Sequence, residues 1–222
     1  MAQPRRILMV VTGHDRIDDE HRTGIWFEEF AVPYQAFKEQ GWQITVASPR
    51  GGSVPVDPRS EPKEEEAQKY AEARAQLQNT RPLAGLNAAD YDAIFLPGGH
   101  GVMFDLAEDT TLHRLLGDFE GQGKVIAAVC HGPAGLVGAR RADGQPLVAG
   151  KTITAFTDEE ERATGLDKFM PFLLETRLRE LGANFVTRPN WSDHVERDGL
   201  LITGQNPQSS ASIARAVIEA LS

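Results

Sequence analysis

The single cysteine of the chain, Cys130, follows a stretch that is typical of a buried strand. Residues 125–129 are all apolar and partly β-branched, which favours a strand buried on both faces of a parallel sheet. Pro133 then opens a run of small residues that predicts the start of a helix. A side chain on the tight turn between such a strand and a helix is the arrangement of a nucleophile elbow. The sequence therefore predicts a nucleophilic cysteine, with an inert thiol of the core as the alternative.

We expect this elbow to activate the thiol. The N–H groups and the dipole of the following helix favour a negative sulfur, so the pKa of Cys130 is expected below the value of about 8.5 of a free thiol. His131 is then either a base beside the sulfur or merely the next side chain of the turn. Two charged stretches offer groups that would orient its ring, Asp193-His194 and Asp158-Glu159-Glu160.

A glycine-rich turn follows another apolar stretch, at residues 97–101. Ligand sites of open parallel sheets lie outside the carboxyl ends of the strands, so this turn is expected to meet Cys130. Gly98 and Gly99 allow a close approach of the backbone to a ligand. Their N–H groups, together with the N–H of His131, are predicted to form an oxyanion hole, although a glycine pair after a strand is often only a turn.

Glu28 and Glu29 lie in an aromatic segment that also contains Trp26, Phe27 and Phe30. A carboxyl group buried among aromatic rings loses hydration, which raises its pKa and suits it to acid–base work near neutral pH. Spacing alone does not choose between the two glutamates. The alternative is that both are solvated residues of a helix surface.

Composition excludes several classes of function. The net charge of −9 argues against a nucleic-acid-binding protein, which usually has a basic surplus. No apolar stretch approaches the roughly 18 residues of a membrane span. One cysteine cannot form an internal disulfide framework and indicates a reducing, cytoplasmic compartment. The six histidines lack the spacing of a metal site, so we expect neither metal nor cofactor.

The rest of the chain supplies the elements that position these residues. Strand-like and helix-like stretches alternate along its 222 residues, which predicts one α/β domain with a three-layer α/β/α sandwich and a mostly parallel sheet. An insertion at about 49–80 reads as a loop followed by an exposed helix. The predicted strands are 6–12, 43–48, 92–96, 125–129, 151–156, 184–187 and 200–203, and the predicted helices 24–41, 61–78, 110–122, 158–162, 170–181 and 208–221.

Four motifs follow one another along the chain: Gly24-x4-Glu29, Leu-Pro-Gly-Gly-His-Gly at 96–101, Ala-Ala-Val-Cys-His-Gly-Pro at 127–133 and Asp-Gly-Leu-Leu-Ile-Thr-Gly-Gln-Asn-Pro at 198–207. In sequence and in order they resemble the motifs of the ThiJ/PfpI superfamily, relatives of the class I glutamine amidotransferase domain. The insertion and the Thr23-Gly24 pair resemble the branch of heat-shock chaperones and glutathione-independent glyoxalases.

The resemblance implies a flavodoxin-like fold with Cys130 as nucleophile, His131 beside it and Glu29 as the buried carboxylate. It implies a homodimer that converts reactive 2-oxoaldehydes, such as methylglyoxal to lactate, and that also acts as a deglycase. The branch leaves open a holdase chaperone, a redox sensor, an amidase or other hydrolase, and an isonitrile hydratase. Glutaminase activity is not expected, because the His-x-Glu at His194 and Glu196 stands ahead of a predicted strand, out of its usual context.

Overall fold

The computed structural model describes residues 3–222, which alternate between strands and helices along the chain. The elements are β1 (Arg6–Val10), α1 (Phe27–Glu39), β2 (Gln43–Ser48), β3 (Arg50–Gly52), α2 (Glu64–Lys69), α3 (Ala71–Gln76), β4 (Thr80–Pro82), β5 (Ala93–Leu96), α4 (Thr110–Gly121), β6 (Val125–Val129), β7 (Thr152–Ile153), α5 (Asp158–Thr164), α6 (Leu174–Glu180), β8 (Asn184–Phe185), β9 (Val195–Asp198), β10 (Leu201–Gly204) and α7 (Ser210–Ala220).

A mostly parallel sheet forms the middle layer, with the strand order β3-β4-β2-β1-β5-β6-β10-β9. Strands β4, β2, β1, β5, β6 and β10 run parallel, while β3 and β9 are antiparallel to their neighbours at the two edges. The order β2-β1-β5-β6-β10 is that of flavodoxin-like sheets. The predicted α/β fold class is therefore confirmed.

Two hydrophobic cores, one on each face of the sheet, make the three layers. Along β1, Leu8 and Val10 belong to the core covered by α4 and α6, whereas Ile7 and Met9 belong to the core covered by α1 and α7. This alternation follows from the pleat of a strand, in which successive side chains point to opposite faces. Because both faces are covered, the central strands β5 and β6 are apolar throughout, and the residues with reactive or charged side chains come after the strands end.

The insertion differs in detail from the prediction. Part of the predicted loop forms β3, which pairs with β4 and extends the sheet beyond β2. The predicted single helix is broken at Tyr70 into α2 and α3, and the Tyr70 ring packs edge-on against Phe27 of α1. Backbone pairing and this aromatic contact fasten the insertion to the rest of the fold.

Two further differences lie near the chain's end. The predicted strand 151–156 is reduced to β7, which pairs with β8 in a separate two-stranded sheet. Residues 195–198, for which no strand is predicted, form the antiparallel edge strand β9. None of the helices among residues 3–222 combines the length and the apolar character that crossing a bilayer requires.

Candidate active site

Cys130 lies directly after β6, in a backbone conformation that is uncommon for a residue with a side chain. Its φ is +60°, in the left-handed region. The conformation is fixed from both sides, because the Cys130 N–H donates to the Gly204 carbonyl at 3.0 Å and the Phe156 N–H donates to the Cys130 carbonyl at 2.9 Å. Such strain persists where surrounding structure enforces it, typically at functional sites. The turn is the predicted elbow, and the residue as a whole is only 3% exposed.

The expected lowering of the thiol pKa is wrong. Burial raises the pKa of Cys130 well above its ordinary value, and the nearby carboxyl groups of Glu29 and Glu160 raise it further. The sequence predicts a helix after Cys130 whose dipole would favour a negative sulfur, but the chain forms only a short 3-10 helix there, Gly132–Leu136. A helix of this length supplies little dipole, so desolvation decides the direction.

Glu29 is the buried member of the glutamate pair. Its Oε1 accepts a hydrogen bond from the Gly98 N–H at 2.8 Å, and the side chain is completely buried in the first turn of α1. Burial raises the pKa of this carboxyl well above its ordinary value, as predicted. Glu28 is exposed and accepts a hydrogen bond from Trp26 Nε1. The helix thus turns one glutamate towards the sulfur and the other towards solvent.

Cys130 and Glu29 act on each other's ionisation. The Glu29 carboxyl group raises the pKa of the Cys130 thiol, whereas the thiol lowers that of Glu29, and burial outweighs this lowering. Because burial raises the pKa of both groups, it favours the protonated form of each in the resting pair. A reaction through the sulfur therefore needs a separate base to take the thiol proton.

His131 is placed to be that base. Its Nδ1 lies 3.5 Å from Cys130 Sγ, and its Nε2 lies 2.8 Å from Glu161 Oε1. The carboxylate that orients the ring is therefore Glu161, one residue beyond the acidic stretch 158–160. Against the effect of burial, the two histidines near it hold the pKa of Glu161 well below its usual range. The three side chains form a cysteine–histidine–glutamate arrangement.

The acidic stretch offered from the sequence as an orienting group, residues 158–160, ends one residue short of Glu161. Thr157 caps α5 in a capping box with Glu160, whose carboxylate also accepts from Asn206 Nδ2 and the Trp191 N–H. Glu160 and Glu161 are both buried. The sequence does contain a signal for this burial: Thr157, three residues before Glu160, has the spacing of a capping box. The box fixes where α5 begins and therefore which of its acidic side chains point inward.

His100, in the glycine-rich turn, is a second functional candidate that sequence reasoning did not single out. Its Nε2 lies 2.7 Å from Glu161 Oε2, and its Nδ1 lies 3.0 Å from Arg59 Nη2. Burial, with a contribution from His131, lowers the pKa of His100 to about 4. Glu161 is therefore held between two imidazole rings.

The predicted oxyanion hole needs one correction. The Gly98 N–H is used to hold Glu29, so it is not free to bind a substrate oxygen. A Cβ on Gly98 would lie 2.6 Å from Glu29 Oε1 and 2.7 Å from the backbone nitrogen of His131. Gly98 therefore lets the carboxyl group and the elbow come together, and the N–H groups of Gly99 and His131 remain the candidates for the oxyanion.

We expect Gly98→Ala to lower activity more than stability. The added methyl group must displace either Glu29 or the elbow, and a shift of about 1 Å in a catalytic group can lower the rate about 100-fold. Gly121→Ala is a matched control, because a Cβ there meets nothing within 4 Å. The measurement is turnover together with thermal unfolding of both variants. Equal activity of the two would contradict this role of Gly98.

His100, His131 and Glu161 also form the one group of ligand-type side chains close enough to share a metal ion among residues 3–222. Their ligand atoms lie within 4.8 Å of one another, and all three residues are buried. The same atoms are joined by the hydrogen bonds at 2.7 and 2.8 Å described above. An ion would have to replace the protons of both bonds, so the arrangement suits proton transfer better than metal binding.

Comparison with known proteins places this site in a family. The model of the DJ-1/PfpI family matches residues 24–220, a range that includes the Glu29 segment, the glycine-rich turn and the elbow. The chain belongs to the DJ-1/PfpI family. The resemblance found in the sequence motifs is thereby confirmed, and so is its branch, through the relatives that follow.

Relatives in this family match along almost their whole length. The glutathione-independent glyoxalase hsp3101 of Schizosaccharomyces pombe is 32% identical, with 99% of this chain and 97% of that protein covered. The structure of glyoxalase III from Candida albicans superposes with a TM-score of 0.89 at 30% identity, covering 97% of each chain. That of the Rapid Encystment Protein 24 KDa of Francisella tularensis gives 0.92 at 33% identity, covering 98% of this chain and 99% of that one.

Proposed function

We propose that this protein is a cysteine-dependent, glutathione-independent glyoxalase that converts 2-oxoaldehydes, such as methylglyoxal, to 2-hydroxy acids. The observation that carries the proposal is the convergence of two groups on the thiol of the strained residue Cys130: the buried carboxyl of Glu29 and the His131–Glu161 pair. The full-length similarity to glutathione-independent glyoxalases supports it.

The first step forms a carbon–sulfur bond. His131 Nδ1 takes the thiol proton, and the sulfur adds to the aldehyde carbon. Glu29, neutral because of its burial, gives its proton to the aldehyde oxygen, so the product is a neutral hemithioacetal. At this stage His131 is an imidazolium, which Glu161 stabilises, and Glu29 is a carboxylate.

The next steps move hydrogen between the two substrate carbons. Glu29 takes the proton from the former aldehyde carbon while the His131 imidazolium protonates the ketone oxygen, which gives an enediol. Glu29 then delivers its proton to the second carbon, and His131 takes the hydroxyl proton of the first. The substrate is now a thioester of a 2-hydroxy acid, with no net gain or loss of electrons.

Hydrolysis completes the cycle. Glu29 takes a proton from water, whose oxygen attacks the thioester, and the His131 imidazolium protonates the departing sulfur. The N–H groups of Gly99 and His131 would hold the oxyanion of the tetrahedral intermediate, and a donor of this kind contributes about 3–4 kcal/mol in well-studied enzymes. The cycle ends with the free acid and with each protein group in its starting protonation state.

The test is lactate formation from methylglyoxal without glutathione. We expect the purified protein to form lactate in amounts equal to the methylglyoxal consumed. Because Cys130 is the only cysteine, pretreatment with iodoacetamide blocks that side chain alone among thiols, and it should abolish turnover. Methylglyoxal loss without lactate, or equal turnover after alkylation, would contradict the proposal.

Deglycase activity at the same cysteine, a cytoplasmic location and a homodimer are parts of this proposal. A lone thiol supports the location, because a reducing compartment keeps it free. Light scattering of the purified protein would test the dimer.

A further inference from the structure

One charged side chain of the insertion at about 49–80, that of Arg59, reaches the candidate active site. Arg59 lies in a short 3-10 helix, Pro58–Ser60, and its side chain is 41% exposed. Its Nε and Nη2 donate to the buried carboxylate of Asp57 at 3.1 and 2.7 Å, and Asp57 also accepts from Thr23 Oγ1 at 3.0 Å. Although partly exposed, the guanidinium is held by a buried partner, so its position is defined.

The same guanidinium fixes the tautomer of His100. Arg59 Nη2 lies 3.0 Å from His100 Nδ1, and a guanidinium has donors only, so Nδ1 must carry the lone pair. A neutral imidazole then carries its proton on Nε2, which lies 2.7 Å from Glu161 Oε2. His100 therefore donates to Glu161, and it is neutral when it does so.

Donors and acceptors can be assigned in the same way for the hydrogen bonds that lead from Glu161 to the sulfur of Cys130. Glu161 accepts from His100 through Oε2 and is 2.8 Å from His131 Nε2 through Oε1. With the His131 proton also on Nε2, its Nδ1 presents a lone pair to Cys130 Sγ, 3.5 Å away. An unbroken chain of hydrogen bonds thus runs from Arg59 in the insertion to the thiol of Cys130, with a defined direction at each link.

We propose that Arg59 is a positioning residue that, by donating to His100 Nδ1, keeps His100 neutral and so reserves the Glu161 carboxylate for the imidazolium that forms on His131. The insertion would then act, through His100 and Glu161, on a base that it does not touch. This inference concerns the thiol and its base only, and it holds for any reaction of Cys130, including one other than the proposed glyoxalase reaction.

Loss of Arg59 should allow a positive charge to form on His100, next to the one that forms on His131 during reaction. The charged and titratable groups facing His100 are Arg59 from the insertion, Glu161 from α5 and His131 from the elbow. Burial and His131 still oppose a charge on His100 in such a variant, but without the guanidinium Nδ1 loses a hydrogen-bond donor and a nearby positive charge, so the ring takes a proton at a higher pH than in wild type. The resulting cation lies beside His131, whose ring centroid is 4.2 Å away, and opposes formation of the His131 imidazolium. The defect should therefore appear at acid pH and fade as pH rises.

The first measurement needs no variant of Arg59. Nitrogen-15 NMR of the wild-type protein, with the His100 signals assigned by their absence in His100→Asn, reports which ring nitrogen carries the proton. We expect His100 to be protonated on Nε2 alone and to stay so down to about pH 5, as its pKa of about 4 implies. A proton on Nδ1 at neutral pH would overturn the proposal.

The second measurement follows the rate of alkylation of Cys130 by iodoacetamide against pH, which is unambiguous because the chain has one cysteine. We expect Arg59→Gln to react about tenfold more slowly than wild type at pH 6 and to differ by less than about twofold at pH 8.5. Arg74→Gln is the matched control, because it removes the same charge from the same insertion but pairs with Glu61. Its profile should equal that of wild type.

A double variant separates positioning from a merely structural effect. In a His100→Asn background no imidazole is present to be protonated, so Arg59→Gln should cause no further loss that depends on pH. A defect of Arg59→Gln that is equal at both pH values, or that persists unchanged in the His100→Asn background, would overturn the proposal. So would alkylation profiles of Arg59→Gln and wild type that coincide. Because alkylation needs no aldehyde substrate, these outcomes are independent of the glyoxalase assay.

Discussion

Replacing Cys130 with alanine is expected to abolish turnover of methylglyoxal, with a fall in rate of at least about 10⁴-fold. The carbon–sulfur bond is the first to form in the proposed cycle, and no second cysteine exists to replace the nucleophile. His131 and Glu29 remain in the variant, but general acid–base groups without the sulfur cannot form the hemithioacetal or the thioester. The measurement is lactate formed per mole of protein over several hours.

The control for Cys130→Ala is a measurement of its stability, which shows whether the variant is folded. Cys130 is buried against apolar neighbours, and alanine is a smaller apolar residue, so the loss of stability should stay within about 1–2 kcal/mol. The hydrogen bonds of its backbone to Gly204 and Phe156 do not involve the side chain. A folded Cys130→Ala protein that forms lactate at the wild-type rate would remove the sulfur from the mechanism.

Glu29→Gln is expected to lower turnover about 10²–10⁴-fold, the usual contribution of general acid–base catalysis. Glutamine has the shape of the neutral acid, and its oxygen can still accept from the Gly98 N–H, but it cannot carry a proton between carbons. The hemithioacetal should still form, because its alkoxide can take a proton from the His131 imidazolium instead, so the variant is expected to trap a substrate adduct on Cys130. Intact-protein mass spectrometry under methylglyoxal would detect this adduct, and unchanged turnover would contradict the role of Glu29.

The same substitution should be stabilising at high pH. Since burial raises the pKa of Glu29 above its unfolded value, the folded state keeps a proton that the unfolded state has lost. The free energy of unfolding of the wild type therefore falls as pH rises through the range above the unfolded pKa. Glu29→Gln has no such proton to lose, so its thermal stability relative to wild type should increase from pH 4 to pH 8. A decrease over this range would show that Glu29 is charged in the folded protein.

Residues whose positions follow from local patterns were predictable. The apolar run 125–129 is β6 without an error in its bounds, and the elbow after it places Cys130 as expected. The family spacing Gly24-x4-Glu29 chose the buried glutamate, which periodicity alone could not do. In each case one short stretch of sequence contains the whole signal.

Features that depend on long-range contacts were not predictable. Glu161 meets His131 only because α5 is capped at Thr157 and packs beneath the elbow, and no spacing in the sequence encodes that meeting. Arg59 meets His100 across 41 residues of chain. The direction of the Cys130 pKa shift depended on how deeply the turn is buried and on the length of the helix that follows, which are properties of the folded chain.

The backbone bond between Phe156 and Cys130 has a consequence for how the site withstands change. The residue whose N–H holds the Cys130 carbonyl stands only five positions before Glu161, so one short stretch both anchors the nucleophile and delivers the acid that orients its base. The Phe156 N–H and the Glu161 side chain are therefore held at a fixed spacing along the chain. An added residue between them would turn Glu161 by about 100° around the axis of α5, so this connection tolerates substitution at its surface but no alteration of its length.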